Sequence, residues 1–295
     1  MFCNVFICHF LHWCSCMFLG QSFISVALKT NTALKKCTHG EIQVRISARA
    51  EAFVVVFAAL YYVFSIITPY VPAIGIPLIK ISLEAFLASV FGILLGAELG
   101  ALTAFVGVLV AWILPPGNAS VYSLPFLLSP PLNAFTVGLI YTKRWKEATG
   151  ILAFLIGVFF FTLPCTPLSQ YAYVGLAVTF DKIAALVLIP LTALLLRRAS
   201  SSKTLFVSFL LLAFIGNEAD NMWGSLAFAF PVVYNGIFNV ATVEAVRDAF
   251  LVSPFVYPAI RIIQGILAAV VAVPLVKALK SAGWMPLANR PAEES

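Results

Sequence analysis

The chain has 295 residues, 62% hydrophobic and 10% charged, with a formal net charge of +6 and a mean hydropathy of +1.02. A soluble globule carries charge on about a quarter of its residues, so these values exclude a water-soluble fold and point to a polytopic membrane protein. Basic residues in such proteins mark cytoplasmic loops, so the positive charge does not imply a nucleic-acid partner.

Residues 1–28 carry no Asp, Glu, Lys or Arg, and the first charge is Lys29. The segment is long enough to cross a bilayer but lacks the basic start of a secretory signal. Five of the six cysteines and all three histidines fall within the first 39 residues, as Cys3, Cys8, His9, His12, Cys14, Cys16, Cys37 and His39. Residues 1–43 therefore read either as an additional span with its linker or as an extension foreign to the body that follows. The spacings His9-x-x-His12 and Cys14-x-Cys16 match no zinc pattern, so no metal is expected, and no disulfide framework is read.

The body, 44–280, shows apolar runs at roughly 52–68, 79–96, 98–114, 125–142, 149–164, 176–196, 204–228 and 255–279, with a cytoplasmic tail over 281–295. Each approaches the roughly 20 residues a bilayer crossing needs, which predicts an all-α, polytopic membrane helix bundle of about eight spans. The stretch 79–117 is the centre of this pattern. From Ile81 to Leu114 there are 34 residues, too many for one crossing, so a hairpin breaking at Gly96-Ala-Glu98-Leu-Gly100 is expected. Ala88, Gly92, Gly96, Gly100 and Ala104 recur every fourth position, as close helix packing in lipid requires.

With the linker over 29–49 in the cytoplasm, eight spans bring Lys143, Arg144, Lys146, Arg197, Arg198, Lys203, Lys277, Lys280 and Arg290 to the same side. The C-terminus is then cytoplasmic, in a multi-pass protein of the cell membrane. The outer connections, 69–77, 115–124, 164–175 and 231–253, are rich in Pro, Gly and aromatic residues. Asn118-Ala-Ser120 is a glycosylation triplet to which no role is assigned.

Ionisable groups in a span cost about 2.5 to 3.5 kcal/mol each on insertion scales, so they face partners or water. Lys80, Lys182, Arg247, Arg261, Glu84, Asp181, Glu218, Asp220, Glu244 and Asp248 all fall in the outer half or outside. The densest group is Gly216-Asn217-Glu218-Ala219-Asp220-Asn221-Met222-Trp223-Gly224. Glu218, Asn221 and Ser225 share a helical face. Glu218 lies roughly 21 Å from the cytoplasmic end and Arg261 roughly 9 Å from the outer end of its span, hence at one depth. They predict either a ligand site or an Arg–carboxylate pair that locks two helices. Lys80 and Glu84, four apart, are expected to pair on a helix face. Gln264 and Asn133 are candidates to orient a ligand or to satisfy backbone groups freed near prolines, and Trp223 is a candidate aromatic wall or interface residue. The candidate substrate-binding residues are thus Glu84, Asn133, Glu218, Asp220, Asn221, Trp223, Arg261 and Gln264.

The runs GILLGAELGALTAFVG, SPFVYPAIRIIQGILAAVVAVPLVKAL and AFVVVFAALYYVFSIITPYVP resemble helices of the substrate-binding (S) subunits of energy-coupling factor transporters. The resemblance covers roughly residues 50–142 and 204–280; the spans at 149–164 and 176–196 have no counterpart in it. It implies a membrane-embedded subunit that captures a small water-soluble, vitamin-like nutrient and is not an enzyme. Its partners would be a transmembrane coupling protein and ATPase subunits, since no G-x-x-x-x-G-K-[ST] loop is present here. In that family an Ala-x-x-x-Ala face on the first helix meets the coupling protein. Ala48, Ala52 and Ala59 are the nearest matches, with Val55 where an alanine is expected. No cofactor is implied. The alternative is a self-sufficient secondary transporter with Glu218 and Asp220 as proton or cation sites.

Overall fold

The computed structural model describes residues 48–283 apart from 69, 74, 75, 118 and 200, with the backbone alone described over 48–50, 70–82 and 253. The cysteine and histidine pairs of the first 43 residues lie outside the described residues. Helix α1 (Ala48–Ile67) leads into an antiparallel pair, β1 (Tyr70–Ala73) and β2 (Ile76–Ser82), which face each other as Tyr70 to Ser82 and Val71 to Ile81. A 3-10 turn at Leu83–Ala85 opens α2 (Phe86–Ile113), and a second at Val121–Phe126 runs into α3 (Ser129–Tyr141). Then come α4 (Trp145–Phe159), α5 (Leu168–Arg198), α6 (Ser202–Phe228), the single turn α7 (Pro231–Tyr234) and α8 (Val243–Ser281).

Local chemistry sets several of these boundaries. Ser201 accepts a hydrogen bond from the Thr204 amide at 3.1 Å and Thr242 one from the Ala245 amide at 3.3 Å, so α6 and α8 each begin at a hydroxyl cap. Pro130 and Pro131 occupy the first turn of α3, where the missing amide hydrogen costs nothing. The helix expected over 79–96 is corrected at its start, because residues 79–82 belong to β2. Ile79 and Ile81 alternate along Ile76–Ser82, as β-branched residues do in strands, and Pro77 withholds a helix donor. The fold is the expected helical bundle, with one short two-stranded hairpin added before α2.

Helix α2 folds back on itself at Gly96. Tyr61 packs on Phe91, with ring centroids 6.4 Å apart, and its Cβ also lies against Gly107. Unbroken helix from residue 91 to residue 107 would separate those two contacts by about 24 Å. Gly96 makes the reversal at φ 82° and ψ −171°, a region open essentially to glycine alone. The arms, 86–95 and 97–113, are about 15 and 25 Å long. Ala88, Gly92, Gly100 and Ala104 are buried, and Gly92 lies so close to the Ala134 carbonyl that α2 and α3 touch through backbone.

Among the described residues, five stretches are long and apolar enough to cross a membrane: Leu83–Ile113, Val121–Tyr141, Leu168–Arg198, Ser202–Phe228 and Pro254–Ser281. The first of these contains the folded α2. Glu51–Ile67 is a shorter apolar helix, and α4 has 15 residues, about 22 Å against a hydrocarbon core of about 30 Å. Contacts at the rod ends alternate. Arg144 pairs with Glu98 at one end, and Lys277 donates to Ser202 Oγ at 2.6 Å. At the opposite ends of the same rods the Tyr62 hydroxyl donates to the Pro115 carbonyl at 2.8 Å, and Trp223 Nε1 to the Pro125 carbonyl at 3.1 Å.

Candidate functional site: a buried charge cluster on three helices

Glu218 and Asp220 sit two residues apart on α6, about 200° around its axis, and so face different neighbours. Glu218 faces α5. Lys182 Nζ stands 2.8 Å from Asp181 Oδ1 and 3.5 Å from Glu218 Oε2, and neither Lys182 nor Glu218 has any exposed surface. Asp181 Oδ1 also accepts the Lys182 backbone amide at 2.9 Å. Asp181 Oδ2 makes no hydrogen bond, and Lys182 Nζ meets its two carboxylates chiefly through charge attraction. The triad carries two carboxylates for one ammonium.

Asp220 faces α8. Arg261 Nη2 is 3.9 Å from Asp220 Oδ1, Arg261 Nη1 donates to Gln264 Oε1 at 2.8 Å, and Arg261 Nε makes no hydrogen bond. The direct Glu218–Arg261 pair expected from equal depth is corrected. Depth along a helix was legible, but azimuth sent Glu218 to Lys182 and Asp220 to Arg261. Asn221, buried and one turn from Glu218, sets its side-chain amide against the Glu218 carboxylate. The described structure thus joins Glu218, Asp220, Asn221, Arg261 and Gln264 across α6 and α8 and adds Asp181 and Lys182 from α5.

Glu84, buried in the turn before α2, lies on the Asp220 side of this cluster: Tyr61 is within electrostatic reach of both carboxylates, and the neighbouring Leu83 packs with Val256 and Tyr257 on Ile260 of α8. Lys80 lies in β2, so the expected helical Lys80–Glu84 spacing does not exist. Asn133 is a tie between helices. Its Oδ1 accepts from Ser89 Oγ and its Nδ2 donates to Asn217 Oδ1, each at 2.8 Å, which joins α2, α3 and α6. This leaves Asn133 little capacity to orient a ligand. Trp223 is a staple, its indole N–H spent on the Pro125 carbonyl. Ala52 and Ala59 are exposed on α1 together with Val55, while only the backbone of Ala48 is described.

Sequence reasoning placed Lys182 and Asp181 among the outer-half charges but named neither as a site candidate, although a lysine in an apolar run is itself a signal. It also missed the clamp around Arg247. That side chain donates to the carbonyls of Pro164 at 3.0 Å and Thr166 at 3.1 Å and lies 3.3 Å from the Tyr171 ring centre. Arg247 therefore fastens the loop before α5 to the N-terminal part of α8. In comparisons with protein-family models, curated proteins and solved structures, none matches the chain.

Proposed function

We propose that the chain is a membrane-embedded substrate-binding subunit for ATP-driven uptake of a small water-soluble nutrient, with separate coupling and ATPase subunits. The observation that carries this reading is the buried cluster of Asp181, Lys182, Glu218, Asp220 and Arg261, because five charges are removed from water there while Asp181 Oδ2 and Arg261 Nε keep hydrogen-bonding capacity that no protein group uses. A cluster serving only to lock helices would be expected to satisfy itself, since each stranded polar group costs about 1 to 3 kcal/mol. The exposed Ala52, Val55 and Ala59 stripe on α1 and the resemblance of 50–142 and 204–280 to energy-coupling factor S subunits support a partner in the membrane. In this reading the protein is multi-pass in the cell membrane, crosses about eight times and has its C-terminus in the cytoplasm. It performs no chemistry itself.

A second reading is favoured by the two carboxylates that share one lysine: a self-sufficient secondary transporter in which the excess charge carries a proton or cation. Purification from native membranes in mild detergent separates the two, followed by mass spectrometry of the partners and by uptake of a mixed nutrient extract into proteoliposomes. Under the first reading a polytopic partner and nucleotide-binding ATPases co-purify, and the chain alone accumulates nothing under an imposed proton or sodium gradient. Accumulation by the chain alone would overturn it in favour of the second.

A further inference from the structure

We infer that Arg197, Arg198, Lys203, Lys277 and Lys280, where α5 ends, α6 begins and α8 ends, form a binding surface for the headgroup of an anionic phospholipid. The surface requires only that the bundle lies in a bilayer and is independent of which transport reading holds. Helix α5 closes on Arg197 and Arg198, α6 opens at Ser202, and α8 carries Lys277 and Lys280 in its last two turns. Lys277 Nζ donates to Ser202 Oγ at 2.6 Å, which draws the end of α8 onto the α5–α6 turn and gathers the five cations at one end of the bundle. All five are exposed. None is paired with a carboxylate among the described residues. Of the acids at this end, Glu98 and Glu147 are both held by Arg144, and Glu51 sits on α1, which packs on α2.

Position on the helices makes this charge more than a set of solvated ends. Cations suit the C-terminal ends of α5 and α8, where the dipole is negative. Helix α6 starts here, however, so its positive end meets Lys203 in its own first turn and the Lys277 ammonium on Ser202. A phosphate supplies the anion that the described residues do not, and each basic residue near a membrane surface strengthens attraction to anionic lipid roughly fivefold. The surroundings select a lipid over a free phosphate. Each charged end continues into exposed apolar surface on the same helix face: Leu194 lies four residues before Arg198, Val207 four after Lys203 and Val270 seven before Lys277, at 43%, 49% and 54% exposure. A headgroup at the cations with acyl chains along these strips uses both features, whereas free phosphate uses only the first.

The test is thermal unfolding of the full chain in detergent micelles doped with phosphatidylglycerol or with phosphatidylcholine. Phosphatidylglycerol should raise the melting temperature at a mole fraction at least about tenfold lower than phosphatidylcholine, and raising salt from about 0.1 M to about 1 M should erase most of that preference. The variant combining Arg198→Gln, Lys203→Gln and Lys277→Gln should melt like the parent in phosphatidylcholine, because these side chains are exposed, and should lose the preference. Lys143→Gln with Lys146→Gln, which removes exposed charge from the α3–α4 turn at the same end, should keep it. Should the triple variant fail to fold, Lys203→Gln alone, which relieves a cation at the positive end of α6, should still weaken the phosphatidylglycerol effect roughly fivefold. Equal stabilisation by the two lipids, the same shift from inorganic phosphate alone, or a loss no larger in the triple variant than in the Lys143 and Lys146 pair would overturn the assignment.

Discussion

Lys182 has no exposed surface and two carboxylates within 3.5 Å, so single substitutions in this triad are not equivalent. Lys182→Met strands both Asp181 and Glu218 and should cost about 3 to 5 kcal/mol, measured by thermal or denaturant unfolding in detergent. Glu218→Gln instead leaves the neutral Asp181–Lys182 pair and removes the excess charge, so its stability should lie within about 1 kcal/mol of the parent or above it. A Glu218→Gln variant as unstable as Lys182→Met would show that Glu218 is held as a structural partner rather than kept for a ligand. The sequence makes Glu218, Asp220 and Arg261 conspicuous because charges stand out in apolar runs. It does not tell which of Glu218 and Asp220 faces which helix, since two residues on one helix differ by about 200° and only packing decides.

Among the elements, the fold-back at Gly96 carries the largest structural consequence. Gly96 sits at φ 82° and ψ −171°, where a side chain is strained by about 1 to 3 kcal/mol. Gly138 of α3 also presses on the Gly96–Ala97 backbone there, so the turn has little room to relax. Gly96→Ala should lower the folded yield on size-exclusion chromatography and destabilise by at least about 1 kcal/mol, whereas Gly150→Ala, whose added methyl would meet nothing within 4 Å, should be neutral or slightly stabilising. Equal effects would argue for a continuous helix through residue 96. The hairpin was legible from the 34-residue length of its largely apolar run and its recurring small side chains. The strand pair before it was not, because β2 contributes to an apolar run in which length and hydropathy cannot separate a strand from a helix start.

At the scale of the whole molecule, the end-to-end contacts fix which loops lie together: Glu98 with Arg144, Ser202 with Lys277, and, at the other ends, Tyr62 with Pro115 and Pro125 with Trp223. The positive-inside rule expects Arg144 and Lys277 on the cytoplasmic side. The shortness of α4 and of the first arm of α2 was not legible, because hydropathy reports apolar length and not where a helix stops. The central claim is that the cluster between α5, α6 and α8 exists to hold a ligand and not to hold the helices. The variant combining Glu218→Gln, Asp220→Asn and Arg261→Gln tests it most directly, since it strips the site of unmatched charge and leaves the Asp181–Lys182 pair neutral and paired. Melting temperature and retention of small molecules co-purified from native membranes should be measured together on this variant and the parent. A ligand-holding cluster predicts a melting temperature at or above the parent's and no retained molecule; a stable variant that retains the parent's molecule at the parent's occupancy would contradict it.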